Sequence, residues 1–421
     1  MVLNSEGAGN SRQPVHTVYG GAQLFKADTP ARLGTLALDL IRSYAPEASL
    51  FAEVLGLPPG DLASSVFKRT IAKLEREPVE DFRIDFEDGY GYRTEAEEDG
   101  HAVSSAQLLV RGAGKQKFPP FIGIRIKPFT DTLRARAERT LELFLGTLLE
   151  AAGSLPENFV ITLPKITAAD QVNDLAALLS KAEDRYGLPS GVLRIELMIE
   201  TPQAIIDSSG SFAIPKLIAA AQGRCRGLHF GPYDYSASCN IAAAEQRLDH
   251  PACDFARHVM QVSSADRGVS LSDGPSTILP IPRHRPATTD EQRAENRAIV
   301  HRAMRHHFDL VQRSLAHGYY QGWDLHPGQL PTRYAAVYAF FLKSLDSAAA
   351  RLRNFVDKAA QATLVGDVFD DAATGQGLLN FLLRGVNCGA FSEQEAAASG
   401  LTIDELRGRS FLKILENRRK T

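Results

Sequence analysis

The stretch "LRIELMIETPQAI", residues 193–205, decides the fold. Ile195, Leu197 and Ile199 alternate with Arg194, Glu196, Met198 and Glu200, and Pro202 ends the run. Successive side chains of a strand point to opposite faces, so the aliphatic residues share one face and both glutamates share the other. In a closed parallel barrel, helices cover the outer strand face, which must be apolar. The charged face therefore points inward, with Glu200 at the strand's C-terminal end.

The same kind of run recurs along the chain: "VYGGAQLF" (18–25), "DFRIDFED" (81–88), "FIGIRIKP" (121–128), "NFVITLPK" (158–165), "LRIELMIET" (193–201), "CRGLHFGPYD" (225–234), "RGVSLSDG" (267–274) and "YYQGWDLHPG" (319–328). Between them lie amphipathic segments such as "TLRARAERTLELFLGTLLEAAG" and "AADQVNDLAALLSKAEDRYG", which repeat apolar residues every three or four positions and stop at a glycine. Eight strands alternating with helices predict an α/β protein, a (β/α)8 TIM barrel. An open doubly wound sheet would carry a glycine-rich phosphate turn after its first strand. "YGGAQLFKADTP" does not supply G-x-G-x-x-G, and "RGAGKQK" (111–117) lacks the first glycine and the Ser/Thr of a P-loop. The expected organisation is a flexible tail at 1–15, a barrel catalytic domain at 16–340, and a helical C-terminal extension at 341–421 with no further strands. Two capping boxes, Ser392 with Glu395 and Thr402 with Glu405, open helices in that extension.

Composition narrows the class. The chain has 421 residues, 44% hydrophobic and 23% charged, with a net charge of −3. That balance gives no reason to expect a nucleic-acid or membrane partner, and no window is apolar enough for a membrane span. The opening "MVLNSEGAGNSRQPVHT" lacks the basic-then-apolar plan of a signal peptide. Cysteines at 225, 239, 253 and 388 form no C-x-x-C pair, so reduced thiols and a cytoplasmic location are expected. The histidines of "HRAMRHHF" (301–308) have no partner at ligand spacing and read as a solvated helix face.

Applied to the other strands, the two-residue period places Arg83, Asp85 and Glu87 on an inner face, likewise Arg125 and Lys127, and Asp324 with His326 opposite Trp323 and Leu325. Buried charges are costly unless paired. Arg83, Asp85, Arg194 and Glu196 read as a self-satisfied ionic core. Glu87, Arg125, Glu200, Asp234 and His326 fall at the strands' C-terminal ends, the active-site face of barrel enzymes. Arginine and several carboxylates converging there suit an anionic substrate beside a divalent metal, and Mg²⁺ takes one or two carboxylates plus water and substrate oxygens.

Six motifs in order, "DFEDGYG", "IRIKP", "LPKI", "LMIETPQAI", "GLHFGPYDYSAS" and "LHPGQ", each at a strand end, resemble the aldolase/citrate lyase β-subunit superfamily, which includes malyl-CoA lyases and, more distantly, malate synthases. The likeness covers roughly residues 18–335. It implies a Mg²⁺-dependent barrel that makes or breaks a carbon–carbon bond through an enolate. Glu200 and Asp234 would be the metal carboxylates, and Arg125 would hold the substrate carboxylate or carbonyl. Backbone amides around Gly231, Pro232 and Tyr233 would bind the keto-acid, and Glu87 would orient water or substrate. Lys26 and Arg32, in "LFKADTPARL", would meet the phosphates of coenzyme A. Asp370 and Asp371 in "GDVFDDAATG" would be candidates for the acid that protonates the enolate, reached from a neighbouring subunit of a homo-oligomer. His326 would close the barrel top.

The expected activity is a citrate lyase β-like lyase acting on a β-hydroxyacyl-CoA. Alternatives are a metal-dependent aldolase working on free pyruvate or other 2-keto acids, a malate synthase-like condensation, a metal-free Schiff-base aldolase using Lys165, and a non-enzymatic barrel. Loss of Arg125 or Glu200 is expected to leave a folded but nearly inactive enzyme.

Overall fold

A computed structural model describes residues 12–115, 118–357, 363–365, 368–370, 372–408 and 410–418. Eight parallel strands form one sheet: β1 (His16–Gly21), β2 (Asp81–Asp85), β3 (Phe121–Arg125), β4 (Phe159–Leu163), β5 (Arg194–Ile199), β6 (Cys225–Phe230), β7 (Ser270–Ser272) and β8 (Gly322–Asp324). Their order runs β7-β6-β5-β4-β3-β2-β1-β8. The ring closes through a parallel bridge between Ser272 and Gln321, where the Asp273 N–H donates to the Gln321 carbonyl at 2.9 Å. The protein is therefore the expected (β/α)8 barrel. The amphipathic segments are helices Arg134–Ala152 and Ala169–Tyr186, which stop at Gly153 and Gly187.

The outer faces are as the alternation requires. Phe82 and Ile84, Ile122 and Ile124, Phe159 and Ile161, and Ile195, Leu197 and Ile199 are buried in one continuous apolar core under the helices. The inner face is polar. Arg83 is sealed from solvent and ion-pairs with Asp81 and with Glu196, the latter at 2.6 Å. The Arg83 Nε also donates to the Thr162 hydroxyl at 3.2 Å. Asp81 accepts from the Thr17 hydroxyl at 2.9 Å, and His229 Nε2 lies 3.1 Å from Glu196. Burial opposes the charge on Glu196, but Arg83 and His229 win and hold its carboxyl well below the usual range.

Several expectations change here. Arg194 is not in the ionic core. It is the first residue of β5, so its exposed side chain leaves at the N-terminal rim and donates to the Gly223 carbonyl at 2.8 Å. Lys127 lies beyond β3 and pairs with Glu98 at 3.0 Å on helix Glu95–Gly112. On β8 the faces are reversed. Trp323 points inward onto Tyr19, with ring centroids 4.4 Å apart. Asp324 points outward, where His16 (3.0 Å), His307 (3.1 Å) and Arg333 (2.8 Å) surround it. His307 is thus buried rather than part of a solvated face, and an aspartate under the helices is stable because three cationic or polar partners meet it.

Helix Leu330–Asp357 runs unbroken across residue 340 and packs on helices Asp61–Arg76, Asp290–Ala316 and Ala372–Asn387. The extension also holds a two-stranded antiparallel hairpin, β9 (Thr363–Val365) with β10 (Val368–Asp370), where only helices were expected. Both C-terminal capping boxes are present. Of the expected tail, residues 12–15 are anchored. Arg12 pairs with Glu80 at 2.5 Å, Val15 is buried, and its N–H donates to Glu80 at 2.8 Å. Residues 1–11 lie outside the described set. All four cysteines are free. Among the described residues no helix is long and apolar enough to cross a membrane.

Candidate active site

The loop after β2 builds one wall of the barrel mouth. The Asp85 carboxylate accepts from the backbone N–H of Glu87 at 2.9 Å and of Gly89 at 2.7 Å, which turns the chain and presents Glu87 and Asp88 inward. The same carboxylate takes a bidentate fork from Arg125, the last residue of β3, at 2.7 Å (Nε) and 2.5 Å (Nη2). The guanidinium lies over the rings of Tyr19, 4.7 Å to the centroid, and Trp323, 5.5 Å. Such planar stacking and forked pairing fix an arginine in one orientation. Its remaining nitrogen, Nη1, reaches Glu87 at 3.2 Å and the Met198 sulfur at 3.5 Å.

The opposite wall comes from β4, β5 and β6. Lys165, after β4, has a left-handed backbone with φ of 51°, a conformation uncommon outside glycine and frequent at functional positions. That turn aims its N–H at Glu200 Oε1, 2.7 Å away, just past the end of β5. Gly231 follows β6, and a Cβ there would lie 2.5 Å from the Glu200 Cβ, so only glycine lets β6 pass the buried glutamate. Asp234 sits in the first turn of helix Pro232–Ser238 without capping it, which leaves its carboxylate free for the mouth. Helix N-termini favour negative charge, though this one is short.

Four carboxylates converge on one ammonium. Lys165 Nζ is 2.6 Å from Asp234, 3.2 Å from Asp88, 3.6 Å from Glu87 and 3.9 Å from Glu200. Burial pushes the Glu200 carboxyl up to about 7 and that of Glu87 to about 8, against the pull of Lys165 and Arg125. Burial also works against the charge of Lys165, but Glu200 and Glu87 overcome it and raise the ammonium above its usual range.

Glu87, Arg125, Glu200 and Asp234 are therefore brought together as expected, and Gly231 and Pro232 lie beside Glu200 and Asp234. Of the backbone amides expected to hold the keto-acid, that of Gly231 donates to the Ile199 carbonyl at 3.0 Å and Pro232 carries no N–H, while the Tyr233 hydroxyl donates to the Pro275 carbonyl at 3.1 Å. His326 caps the short turn Pro327–Gln329, its Nδ1 accepting from the Gly328 N–H at 3.0 Å. Lys26 and Arg32 are exposed, and no described contact ties their side chains to the carboxylates. Lys26 instead lines a cavity of about 590 Å³ with Gln23, His101, Ser104 and Lys115. Asp370 ends β10, and Asp371 lies outside the described residues. Four contributors were not assigned from the sequence: Asp85, which orients Arg125; Asp88; and the Tyr19 and Trp323 rings. The last two stand on β1 and β8, neighbours only because the barrel closes.

The donor set fits a hard divalent cation. Glu200 and Asp234 already share one positive centre, and all the converging groups are carboxylate oxygens. No group of three or more His, Cys, Asp or Glu among the described residues closes into a cage of its own. Mg²⁺ is commonly held by one or two carboxylates, with water and substrate oxygens completing its shell.

Residues 4–414 match the family described as "Domain of unknown function (DUF6986)", and the chain belongs to that family. Over 114 residues it is 34% identical to the L-malyl-CoA/β-methylmalyl-CoA lyase of Haloarcula marismortui, a match covering 27% of this chain and 30% of that relative. The chain thus matches less than a third of that relative's length. A solved citrate lyase from Burkholderia xenovorans LB400 shares the fold with a TM-score of 0.58 at 19% identity, covering 93% of this chain and 98% of its own. The CitE protein of Mycobacterium tuberculosis, solved with magnesium, acetoacetate and coenzyme A, aligns over 90% of this chain and 99% of its own at 16% identity, with a TM-score of 0.49. At these identities the solved structures bear on the fold alone. Malyl-CoA lyase and citrate lyase both fall within the superfamily that the six strand-end motifs resemble.

Proposed function

We propose that this member of the DUF6986 family is a Mg²⁺-dependent carbon–carbon lyase that cleaves or forms a β-hydroxyacyl-CoA. One observation carries the reading: Glu200 and Asp234 share a cationic centre at the C-terminal mouth of the barrel, beside an arginine fixed in one orientation.

Cleavage of such a substrate removes the proton of the β-hydroxyl, breaks the bond between the β and α carbons, and leaves the electron pair on an enolate of the acyl-CoA. The enolate then takes up a proton. Magnesium, when bound, supplies a Lewis acid that polarises the oxygens of the oxo-acid half. Glu200 and Asp234 would hold it. Arg125 presents Nη1 to the negative oxygen, because its other two donors are committed to Asp85. Glu87 lies on that same Nη1, and its carboxyl, pushed to about 8 by burial, can hold or pass a proton near neutral pH.

Lys165 does not support the Schiff-base alternative. A nucleophilic amine must lose its proton, and four carboxylates hold this one protonated. The test is incubation with malyl-CoA and related β-hydroxyacyl thioesters, with Mg²⁺ or with EDTA, following release of the oxo-acid and the shorter acyl-CoA. Mg²⁺-dependent release supports the proposal. Equal turnover in EDTA, or none across the thioesters while free 2-keto acids react, refutes it.

A further inference from the structure

Lys165 has no role in the reading above beyond its backbone contact to Glu200. Yet its ammonium is, among the described residues, the only cation ion-paired with Glu200 or Asp234. It rests 2.6 Å from the Asp234 oxygen. Mg²⁺ binds carboxylate oxygens at about 2.0–2.1 Å, so a divalent ion on that same oxygen would stand within about 5 Å of the ammonium, where the two like charges repel. A second seat is close by: Asp88, half exposed, is 3.2 Å from the same nitrogen, and Glu87 is 3.6 Å away. The root of the side chain is fixed by the left-handed backbone and by the N–H bond to Glu200. Its four-carbon stem is flexible, so the ammonium can change seats without moving the loop.

We infer that Lys165 is a tethered counter-ion that competes with the divalent cation for Glu200 and Asp234, making metal binding an exchange in which the ammonium leaves Asp234 for Asp88 and Glu87. The inference rests on the proposed reading of Glu200 and Asp234 as metal carboxylates. It means that the cation's affinity is set below what the two carboxylates alone would give.

The test is calorimetric titration of MgCl2 into the full chain, with no turnover measured. Lys165→Met removes the charge at similar length, and Lys165→Gly removes it while suiting the left-handed backbone, so a folding defect in one does not disable the test. Both variants are expected to bind Mg²⁺ about tenfold tighter or more, since a like charge within about 5 Å is removed. Lys165→Arg, which keeps the charge, should stay near wild type. Unchanged or weaker binding in the Met and Gly variants overturns the inference. Glu200→Gln separates this from the metal reading. If Glu200→Gln abolishes wild-type binding while the Lys165 variants do not tighten, only the exchange fails. If Glu200→Gln binds Mg²⁺ as wild type does, the metal assignment fails and the exchange with it.

Discussion

Glu200→Gln should give a protein that is inactive and more stable. Glu200 is 1% exposed, and burial raises its carboxyl from 4.5 to about 7. An acid with a raised folded pKa contributes stability that is complete below its unfolded value and lost as pH rises through the folded value. Here the window runs from 4.5 to about 7. At about 1.36 kcal/mol per unit, wild type forfeits about 3 kcal/mol by pH 8. The glutamine does not titrate, and its carbonyl can still accept the Lys165 N–H. In EDTA, urea unfolding should therefore show the variant ahead by about 1 kcal/mol at pH 5.5 and about 3 kcal/mol at pH 8. Turnover should fall by at least about 10²–10³-fold, as for loss of a group that stabilises developing charge. A stability gap that does not change with pH, or a wild type that is the more stable at pH 8, would refute the reasoning.

Arg125→Ala should be both inactive and unstable. Asp85 keeps two backbone donors but loses both guanidinium bonds, and breaking a buried pair costs about 3–5 kcal/mol; guanidinium unfolding checks the stability and steady-state assays the expected loss of about 10²–10³-fold in kcat. Arg83→Ala and Glu196→Ala should each destabilise by about 3–5 kcal/mol, with the double variant costing clearly less than the sum; an additive cycle by chemical denaturation would mean the inner pair is not coupled. Gly231→Ala should drive a methyl into Glu200, weakening Mg²⁺ about 10–100-fold and lowering stability by about 1–3 kcal/mol, which titration calorimetry beside a urea unfolding curve would show.

The barrel could be read from the sequence because its outer faces obey the two-residue period. Ile195, Leu197 and Ile199 are buried under helices, and Glu196 and Glu200 point inward. Alternation does not say where a strand begins. Arg194 obeys the period but stands at the bottom rim, so its side chain escapes to solvent. On β8 the aromatic and charged residues trade faces, because His16 on β1, His307 on helix Asp290–Ala316 and Arg333 on helix Leu330–Asp357 meet Asp324 beneath the helices. The Arg125 fork onto Asp85, which ties that side chain to stability as well as to the site, is likewise visible only in three dimensions. Glu200, Asp234, Arg125 and Glu87 were legible because each closes a strand or opens the turn after it. Asp88, Tyr19 and Trp323 were not, since nothing in their spacing separates a residue at the mouth from one on a loop or in a core.

The most direct measurement is a crystal structure grown with Mn²⁺ and an oxo-acid such as oxaloacetate, with the metal located by its anomalous scattering. The expected result is one metal bound by Glu200 and Asp234, the oxo-acid between it and Arg125, and the Lys165 ammonium moved off Asp234. Metal held by other residues, or an oxo-acid bound away from Arg125, would contradict the account.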